Sequence, residues 1–145
     1  MIVKNILIST CCVFLFFLEA CDKGVEKNKT SYKGGPYYFK GFESKKHRPE
    51  LPLHQISEAD ALTLKSKRTA YIIAFFRPDG QLLSIESRLG EDVQWRSEYQ
   101  YKDDGKIVSG YLIHPDGRKK YEFDQSGKQI YEVWFDLNGK EVAHF

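Results

Sequence analysis

The fold is decided by one stretch of the sequence, Tyr99-Gln100-Tyr101-Lys102-Asp103-Asp104-Gly105-Lys106-Ile107. Two aromatic residues that stand two apart lie on one face of a β-strand, and the polar residues beside them lie on the other face. An aspartate followed by glycine favours a tight hairpin turn, because glycine adopts the positive φ that such turns need. The stretch therefore predicts a strand, a turn and the start of a second, antiparallel strand.

The same pattern occurs five times, each time around a glycine that closes a polar cluster: Gly80, Gly105, Gly117, Gly127 and Gly139. An apolar or aromatic residue stands four places before each glycine, namely Phe76, Tyr101, Ile113, Phe123 and Phe135. Another stands six places before it, namely Ala74, Tyr99, Tyr111, Tyr121 and Val133. A long polar residue follows it, namely Gln81, Lys106, Arg118, Lys128 and Lys140. The repeat predicts an antiparallel meander with one register throughout.

We therefore expect a mainly β protein, with a single antiparallel meander sheet of about seven strands and one short helix, after a signal peptide. Ser57 is a suitable N-cap and acidic residues follow it, which predicts a helix near 58–66. The predicted strands run near 70–77, 81–88, 93–102, 106–114, 118–123, 128–135 and 140–145. The predicted buried face collects Tyr99, Tyr101, Ile107, Ser109, Tyr111, Ile113, Tyr121, Phe123, Tyr131, Val133, Phe135, Ala143 and Phe145.

The N-terminus has the layout of a secretory signal peptide, because Lys4 precedes an uncharged run from Ile6 to Leu18. That run is shorter than the roughly 20 apolar residues of a membrane-spanning helix. The next residues, Leu18-Glu19-Ala20-Cys21, resemble the lipobox of bacterial lipoproteins, although Glu19 stands where a small or hydroxylated residue is usual. The resemblance implies that Cys21 becomes the first residue of the mature chain and carries a lipid.

The chain then divides into a signal peptide at 1–20, a flexible tether at 21–36 and a β-meander domain at 37–145. Asp22, directly after the cysteine, resembles the inner-membrane retention signal of enterobacterial lipoproteins. The resemblance implies a periplasm-facing protein of the bacterial cell envelope, with the membrane as a partner through the lipid on Cys21 and with the inner membrane favoured. The alternative is an ordinary signal peptide or an uncleaved anchor with an incidental cysteine.

The repeats themselves also resemble a known class. The runs Tyr99–Ile107, Tyr121–Lys128 and Trp134–Lys140 resemble the tyrosine-aspartate repeats of Rhs-type bacterial surface and toxin proteins, and the aromatic-glycine repeats of small bacterial antitoxin-like proteins. Lys102 stands where an aspartate is expected. In those families the repeat builds a sheet and has no catalytic residues, so the resemblance implies an architecture and no reaction.

The composition and motifs favour no enzymatic reaction. Lys and Arg number 22 against 20 Asp and Glu, a balance that argues against a nucleic-acid partner. The histidines, His47, His54, His114 and His144, have no metal-ligand spacing, so we predict no metal, no cofactor and no catalytic residue. Glu86, Glu98, Glu122 and Glu132 could form carboxylate pairs across strands, as glycosidases require. Acidic residues at alternate positions of a strand more often have a simpler origin, which is that they lie on a solvent-exposed face.

Apolar residues also interrupt the predicted polar face, namely Val108, Leu112, Ile130, Trp134 and Val142. One account is structural: the helix near 58–66 or the segment 37–42 covers them, as is common in small domains. The other is functional: they form a docking surface for another protein or for an acyl chain.

The expected function is that of a non-catalytic protein-binding module that binds another envelope or effector protein. An immunity or inhibitor role against a secreted toxin is its most concrete version. The alternatives are an envelope enzyme that acts on cell-wall or lipid material, and a lipid- or glycan-binding protein.

Overall fold

The computed structural model describes residues 30–45 and 48–142. The predicted signal peptide, Cys21 and residues 21–29 of the predicted tether lie outside these ranges, as do His47 and the last three residues. No helix in the described ranges is long and apolar enough to cross a membrane.

Within these residues, nine strands form one antiparallel sheet, and one short helix packs on it. The elements are β1 (Gly34–Glu43), β2 (Leu51–Ile56), α1 (Glu58–Ser66), β3 (Ala70–Phe76), β4 (Leu82–Leu89), β5 (Asp92–Tyr101), β6 (Ile107–His114), β7 (Gly117–Phe123), β8 (Gln129–Asp136) and β9 (Glu141–Val142). The strand order is β2-β1-β3-β4-β5-β6-β7-β8-β9. The predicted meander is confirmed from β3 onward, and the sequence missed β1 and β2.

Four of the five predicted glycine turns share one geometry. At Gly105, the amide of Lys102 donates to the carbonyl of Lys106 at 2.8 Å, and the Gly105 amide donates to the Lys102 carbonyl at 3.0 Å. The same two bonds recur at Gly80, Gly127 and Gly139. The four glycines have φ between +76° and +84°, as expected for a type I turn followed by a glycine bulge.

Gly117 differs from the other four glycines. It is the first residue of β7 and pairs with His114, so the hairpin loop consists of Pro115 and Asp116. A Cβ atom at this position would lie 2.4 Å from the carbonyl oxygen of Phe135 on the neighbouring strand. The predicted hairpin is confirmed, but the glycine is required by a close backbone approach rather than by the turn.

The helix begins as the sequence predicts. The Ser57 side chain accepts a hydrogen bond from the Asp60 amide at 3.1 Å, and Glu58 and Asp60 lie in the first turn. The helix packs against β1 and β3, and Ala61 is its buried residue. The predicted helix at 58–66 is therefore confirmed, together with its cap.

The core lies on one face of β1, β3, β4 and β5, which we call the inner face. Its buried residues are Phe39, Ile72, Ala74, Phe76, Leu82, Ile85 and Tyr99. Tyr32 packs against this core, with its ring 5.4 Å from Phe39 and 5.0 Å from Phe76. Packed structure thus already includes Tyr32, whereas the sequence placed the start of the domain at Tyr37.

The sheet curls around the inner face. Glu50 directly precedes β2, yet its carboxylate accepts hydrogen bonds from Ser97 and Tyr99 of β5. A flat sheet would place these two strands about 19 Å apart, because adjacent strands are about 4.8 Å apart. Glu50 therefore lies over the inner face and reaches the middle strand of the sheet.

Two β-bulges divide the predicted buried face. Gln100 pairs with Ser109 and Tyr101 with Ile107, so Val108 is an extra residue. Ile130 is extra in the same way, between the pairs Glu122–Tyr131 and Phe123–Gln129. Each extra residue reverses the alternation of faces beyond it. The registers leave Tyr99, Tyr101, Ile107, Tyr121 and Phe123 on the inner face and move Ser109, Tyr111, Ile113, Tyr131, Val133 and Phe135 to the opposite, outer face.

The prediction of a single buried face is therefore wrong for six of its eleven described members. Ala143 and Phe145 lie outside the described residues.

Replacement of the glycine in one of the four common turns tests the turn geometry. Gly127→Ala is expected to lower the free energy of unfolding by about 1 to 2 kcal/mol, because a residue with a Cβ resists positive φ. Gly127 has φ +76° and its nearest contact is ordinary, at 3.7 Å from Ile107, so the loss reports backbone strain. Urea denaturation measures it. Gly41→Ala, where a Cβ meets nothing within 4 Å, is the control and should change stability by less than about 0.5 kcal/mol.

Candidate functional site

The second half of the sheet is a single layer with little core of its own. Among the described residues, Val133 is the one buried apolar side chain that follows Tyr99. The helix packs on β1 and β3, at the other end of the strand order. Sheets normally bury at least one face against a second layer. Strands β6 to β9 therefore present large side chains on both faces that are only partly covered.

The structure brings three of the sequence-predicted binding residues together. Leu112 pairs with Lys119, Lys119 with Trp134, and Trp134 with Val142, so the four form a row across β6 to β9. Trp134 is half-buried, with its ring 6.0 Å from the ring of His114 and 5.9 Å from the Lys119 Nζ. We call Leu112, Lys119, Trp134 and Val142 the inner row, because the registers place them on the inner face.

The other two predicted residues do not join the inner row. Val108 and Ile130 are the extra residues of the two bulges and are 38% and 63% exposed. The structural account predicted a cover from the helix or from segment 37–42. Segment 37–42 is part of β1 within the sheet, and the helix packs on β1 and β3. The packing surfaces of these two elements thus lie several strands away from the inner row.

A second surface escaped the sequence prediction. We call Tyr111, Ile113, Arg118, Tyr131 and Phe135 the outer strip, because they share the outer face of β6, β7 and β8. The Arg118 guanidinium lies 5.9 Å from the ring centre of Tyr111 and 5.5 Å from that of Phe135. Ile113 is 37% exposed and Tyr131 is 46% exposed. Tyr111 and Phe135 thus flank the Arg118 guanidinium, and Ile113 pairs with Arg118, on a surface that water reaches.

The sequence pattern did not indicate the outer strip, because unbroken alternation places four of its members on the buried face. The available signal was a break in the alternation. Ile107 and Val108 are adjacent apolar residues, and so are Ile130 and Tyr131. Both pairs mark the positions where a bulge reverses the faces.

A cleft of about 200 Å³ lies on the inner face, between described residues that precede β2 and strands β5, β7 and β8. It is lined by Ser44, Lys45, Arg48, Glu50, Tyr99, Tyr121, Phe123, Gln129 and Glu132. The loop contributes basic residues and Glu50, and the strands contribute aromatic rings, an amide and Glu132. The cleft therefore combines charges of both signs with apolar surface.

Glu50 is fixed at the cleft by two hydroxyl groups. Ser97 Oγ donates to its Oε1 at 3.1 Å, and the Tyr99 hydroxyl donates to its Oε2. Burial, together with the negative charge of Glu50, raises the pKa of Tyr99 above its ordinary value. Burial, followed by the charges of Glu50 and Glu132, raises the pKa of Tyr121 to about 12. Both phenols therefore stay protonated at neutral pH, and the Tyr99 hydroxyl donates its hydrogen bond to Glu50.

The four carboxylates that suggested a glycosidase pair each have a cation nearby. Their partners and distances are Arg88 at 2.6 Å from Glu86, Arg96 at 2.8 Å from Glu98, Lys120 at 2.7 Å from Glu122 and Lys119 at 3.7 Å from Glu132. Glu132 is the member that lines the cleft, where it accompanies Glu50, and no histidine is among the described lining residues. Within residues 30–45 and 48–142, no three His, Cys, Asp or Glu side chains are grouped closely enough to hold a metal ion.

A second cavity of about 280 Å³ lies between the helix and the outer face of the sheet. Apolar side chains such as Tyr38, Leu62, Tyr71 and Ile73 line it, with charged groups at its rim. The helix faces the sheet there with the small side chain of Ala61, which leaves space beneath it.

Comparison with known proteins gives a family match. The model of a family of unknown function, DUF6156, matches residues 44–132, which run from the loop before β2 into β8. That is 89 of the 145 residues, so the match covers more than half of the chain and includes every residue that lines the cleft. No curated protein and no solved structure matches the chain.

Removal of the Glu50 carboxylate tests whether it holds the loop on the sheet. Glu50→Ala is expected to lower the free energy of unfolding by about 1 to 3 kcal/mol, because two hydroxyls at a largely buried site lose their acceptor. Glu43→Ala is the control. It removes an exposed carboxylate 3.4 Å from Lys45 at the start of the same loop, and should cost less than about 1 kcal/mol. Equal losses in the two variants, measured by urea denaturation, would contradict the role of Glu50.

Proposed function

The chain belongs to the family of unknown function DUF6156, and we propose that it is a non-catalytic protein-binding module of the bacterial cell envelope. The observation that carries the proposal is the exposed second half of the sheet. Strands β6 to β9 keep large apolar and aromatic side chains partly exposed on both faces, with Val133 as their buried apolar residue. A partner that covers one face would supply the missing layer.

The outer strip is the proposed docking surface. Tyrosine and arginine are enriched among the residues that contribute most to binding energy at protein interfaces. Arg118 contacts the rings of Tyr111 and Phe135, which favours this position of its guanidinium before a partner arrives. A pre-ordered side chain loses less entropy on binding. The strip therefore suits a protein surface that presents a carboxylate to Arg118 and apolar side chains around it.

The partner is proposed to be another envelope or effector protein. An immunity or inhibitor role is the most concrete version, and the likeness of the hairpin repeats to those of Rhs-type and antitoxin-like proteins supports it. The lipobox-like residues Leu18-Glu19-Ala20-Cys21 support an envelope location, because a lipid on Cys21 would hold the domain at a membrane surface.

Charge reversal in the outer strip tests the docking surface. The full-length protein is used to capture envelope and effector proteins, and each captured protein is then titrated against variants in purified form. Arg118→Glu is expected to weaken binding at least about tenfold, or about 1.4 kcal/mol. Lys128→Glu, the same charge change at an exposed residue after the Gly127 turn, is the control and should bind like the wild type.

Two outcomes of that experiment contradict the proposal. If Trp134→Ala abolishes binding while Arg118→Glu does not, the inner row is the docking surface instead of the outer strip. If the wild-type protein captures no envelope or effector protein, the binding-module function itself fails.

The lipid anchor has a separate test. Cells that express the full-length chain are grown with radiolabelled palmitate, and the label is expected on the wild-type protein but not on Cys21→Ser. The variant should also leave the membrane fraction, because the proposed attachment depends on the lipid. Cys11→Ser is the matched control, since Cys11 lies within the predicted signal peptide. Equal labelling of the wild type and Cys21→Ser would contradict lipidation at this residue.

A further inference from the structure

The cleft on the inner face has a defined floor. Tyr99 pairs with Gly110, Gly110 with Tyr121, and Tyr121 with Glu132, so these residues form a row across β5 to β8. A Cβ atom at Gly110 would lie 2.8 Å from the ring of Tyr99. The Tyr99 ring thus lies directly over β6, and the absent side chain of Gly110 makes room for it.

Ser44, Lys45, Arg48 and Glu50 line the cleft beside this floor, and with Glu132 of β8 they bring charges of both signs to it. Lys45 and Arg48 contribute cations, and Glu50 and Glu132 contribute carboxylates. Glu132 pairs with Tyr121 across β7 and β8, and both line the cleft together with Glu50, so the two carboxylates share the cleft with this phenol. The cleft therefore has a cation-attracting region near Tyr121 and basic residues from the loop beside it.

The carboxylate of Glu50 is oriented without being neutralised by its hydrogen-bond donors. Ser97 and Tyr99 donate to its two oxygens, and neither hydroxyl carries a charge. Glu132 accepts a hydrogen bond from Gln129 at 2.8 Å and has the Lys119 ammonium at 3.7 Å. An ion pair between partly exposed groups of this kind is weak. Both carboxylates are thus held in place and can still attract a cation.

We propose that this cleft binds a small zwitterion of the amino-acid type. The ammonium group would be bound by Glu50 and Glu132, and the carboxylate by Arg48 and Lys45. An apolar side chain would lie against the rings of Tyr121 and Phe123. A cavity of about 200 Å³ is smaller than the roughly 300 to 1,000 Å³ of sites for drug-sized molecules, so it suits a ligand of amino-acid size.

Charge complementarity favours a zwitterion over a ligand with one charge. A simple anion would meet Glu50 and Glu132, and a simple cation would meet Lys45 and Arg48. Like charges placed together oppose binding, whereas a zwitterion presents each charge to its opposite. This site lies on the inner face, so its ligand is independent of the protein that we propose for the outer strip.

The test uses leucine and two analogues that each keep one charge. Full-length protein is titrated with L-leucine, D-leucine, 4-methylpentanoate, which lacks the ammonium, and 3-methylbutylamine, which lacks the carboxylate. Binding is followed by calorimetry and by the NMR signal of the Gln129 side-chain amide. At least one enantiomer of leucine is expected to bind about tenfold more tightly than either analogue, a difference of about 1.4 kcal/mol.

Variants then locate the site. Glu132→Gln and Arg48→Gln are each expected to weaken leucine binding at least about tenfold. Glu122→Gln is the matched control, because it makes the same change on the outer face of β7 and should leave binding unchanged. Glu50→Gln is a second variant, and its unfolding curve shows whether any loss of binding reflects loss of the fold.

The proposal is overturned if neither enantiomer of leucine binds. It is also overturned if the single-charge analogues bind as tightly as leucine, or if Glu122→Gln weakens binding as much as Glu132→Gln does.

Discussion

The hydrogen bonds that Ser97 and Tyr99 donate to Glu50 are the constraint on which this structure depends. A meander of nine strands has no second sheet to cover it, so its apolar face must be buried by curvature. Glu50 joins the loop before the edge strand β2 to the central strand β5, which holds the curled sheet closed over Phe39, Ile85 and Tyr99. The same contact places a carboxylate at the cleft. Glu50 therefore takes part both in the contact across the core and in the candidate ligand site.

The two bulges decide how the rest of the sheet is used. Without Val108 and Ile130 as extra residues, the aromatic residues of β6 and β8 would continue the inner face and extend the core. With them, Tyr111, Tyr131 and Phe135 lie on the outer face, and Leu112 and Trp134 take positions on the inner face. The two bulges therefore leave the core smaller than an unbroken alternation would make it. They also place apolar side chains on both faces of the hydrogen-bonded sheet, in the inner row and in the outer strip. We propose the outer strip for protein docking.

The candidate site could be predicted from the sequence only in part. Leu112, Trp134 and Val142 stood out because apolar residues interrupt a polar face, and the structure brings them into one row. The interruption of a polar face could not reveal the outer strip, since its apolar members fit the alternation of the predicted buried face. Only the two bulges place them on the outer face. The cleft could not be found either. Glu50 lies 49 residues before Tyr99, and no local pattern marks a contact of that separation.

By itself the sequence determined the meander, its turns and its helix. Asp-Gly turns, alternation within each strand and the Ser57 cap act over a few residues, so their effects can be read locally. It also determined that β3 and later strands pair in order, because short loops leave no other partner. Only the tertiary structure decided which face each strand presents, where β1 and β2 join, and that Glu50 reaches β5. Those outcomes depend on bulges and on curvature. Adjacent apolar residues mark where the two bulges lie, but the contacts between distant strands that set the faces and the curvature form only in the folded sheet.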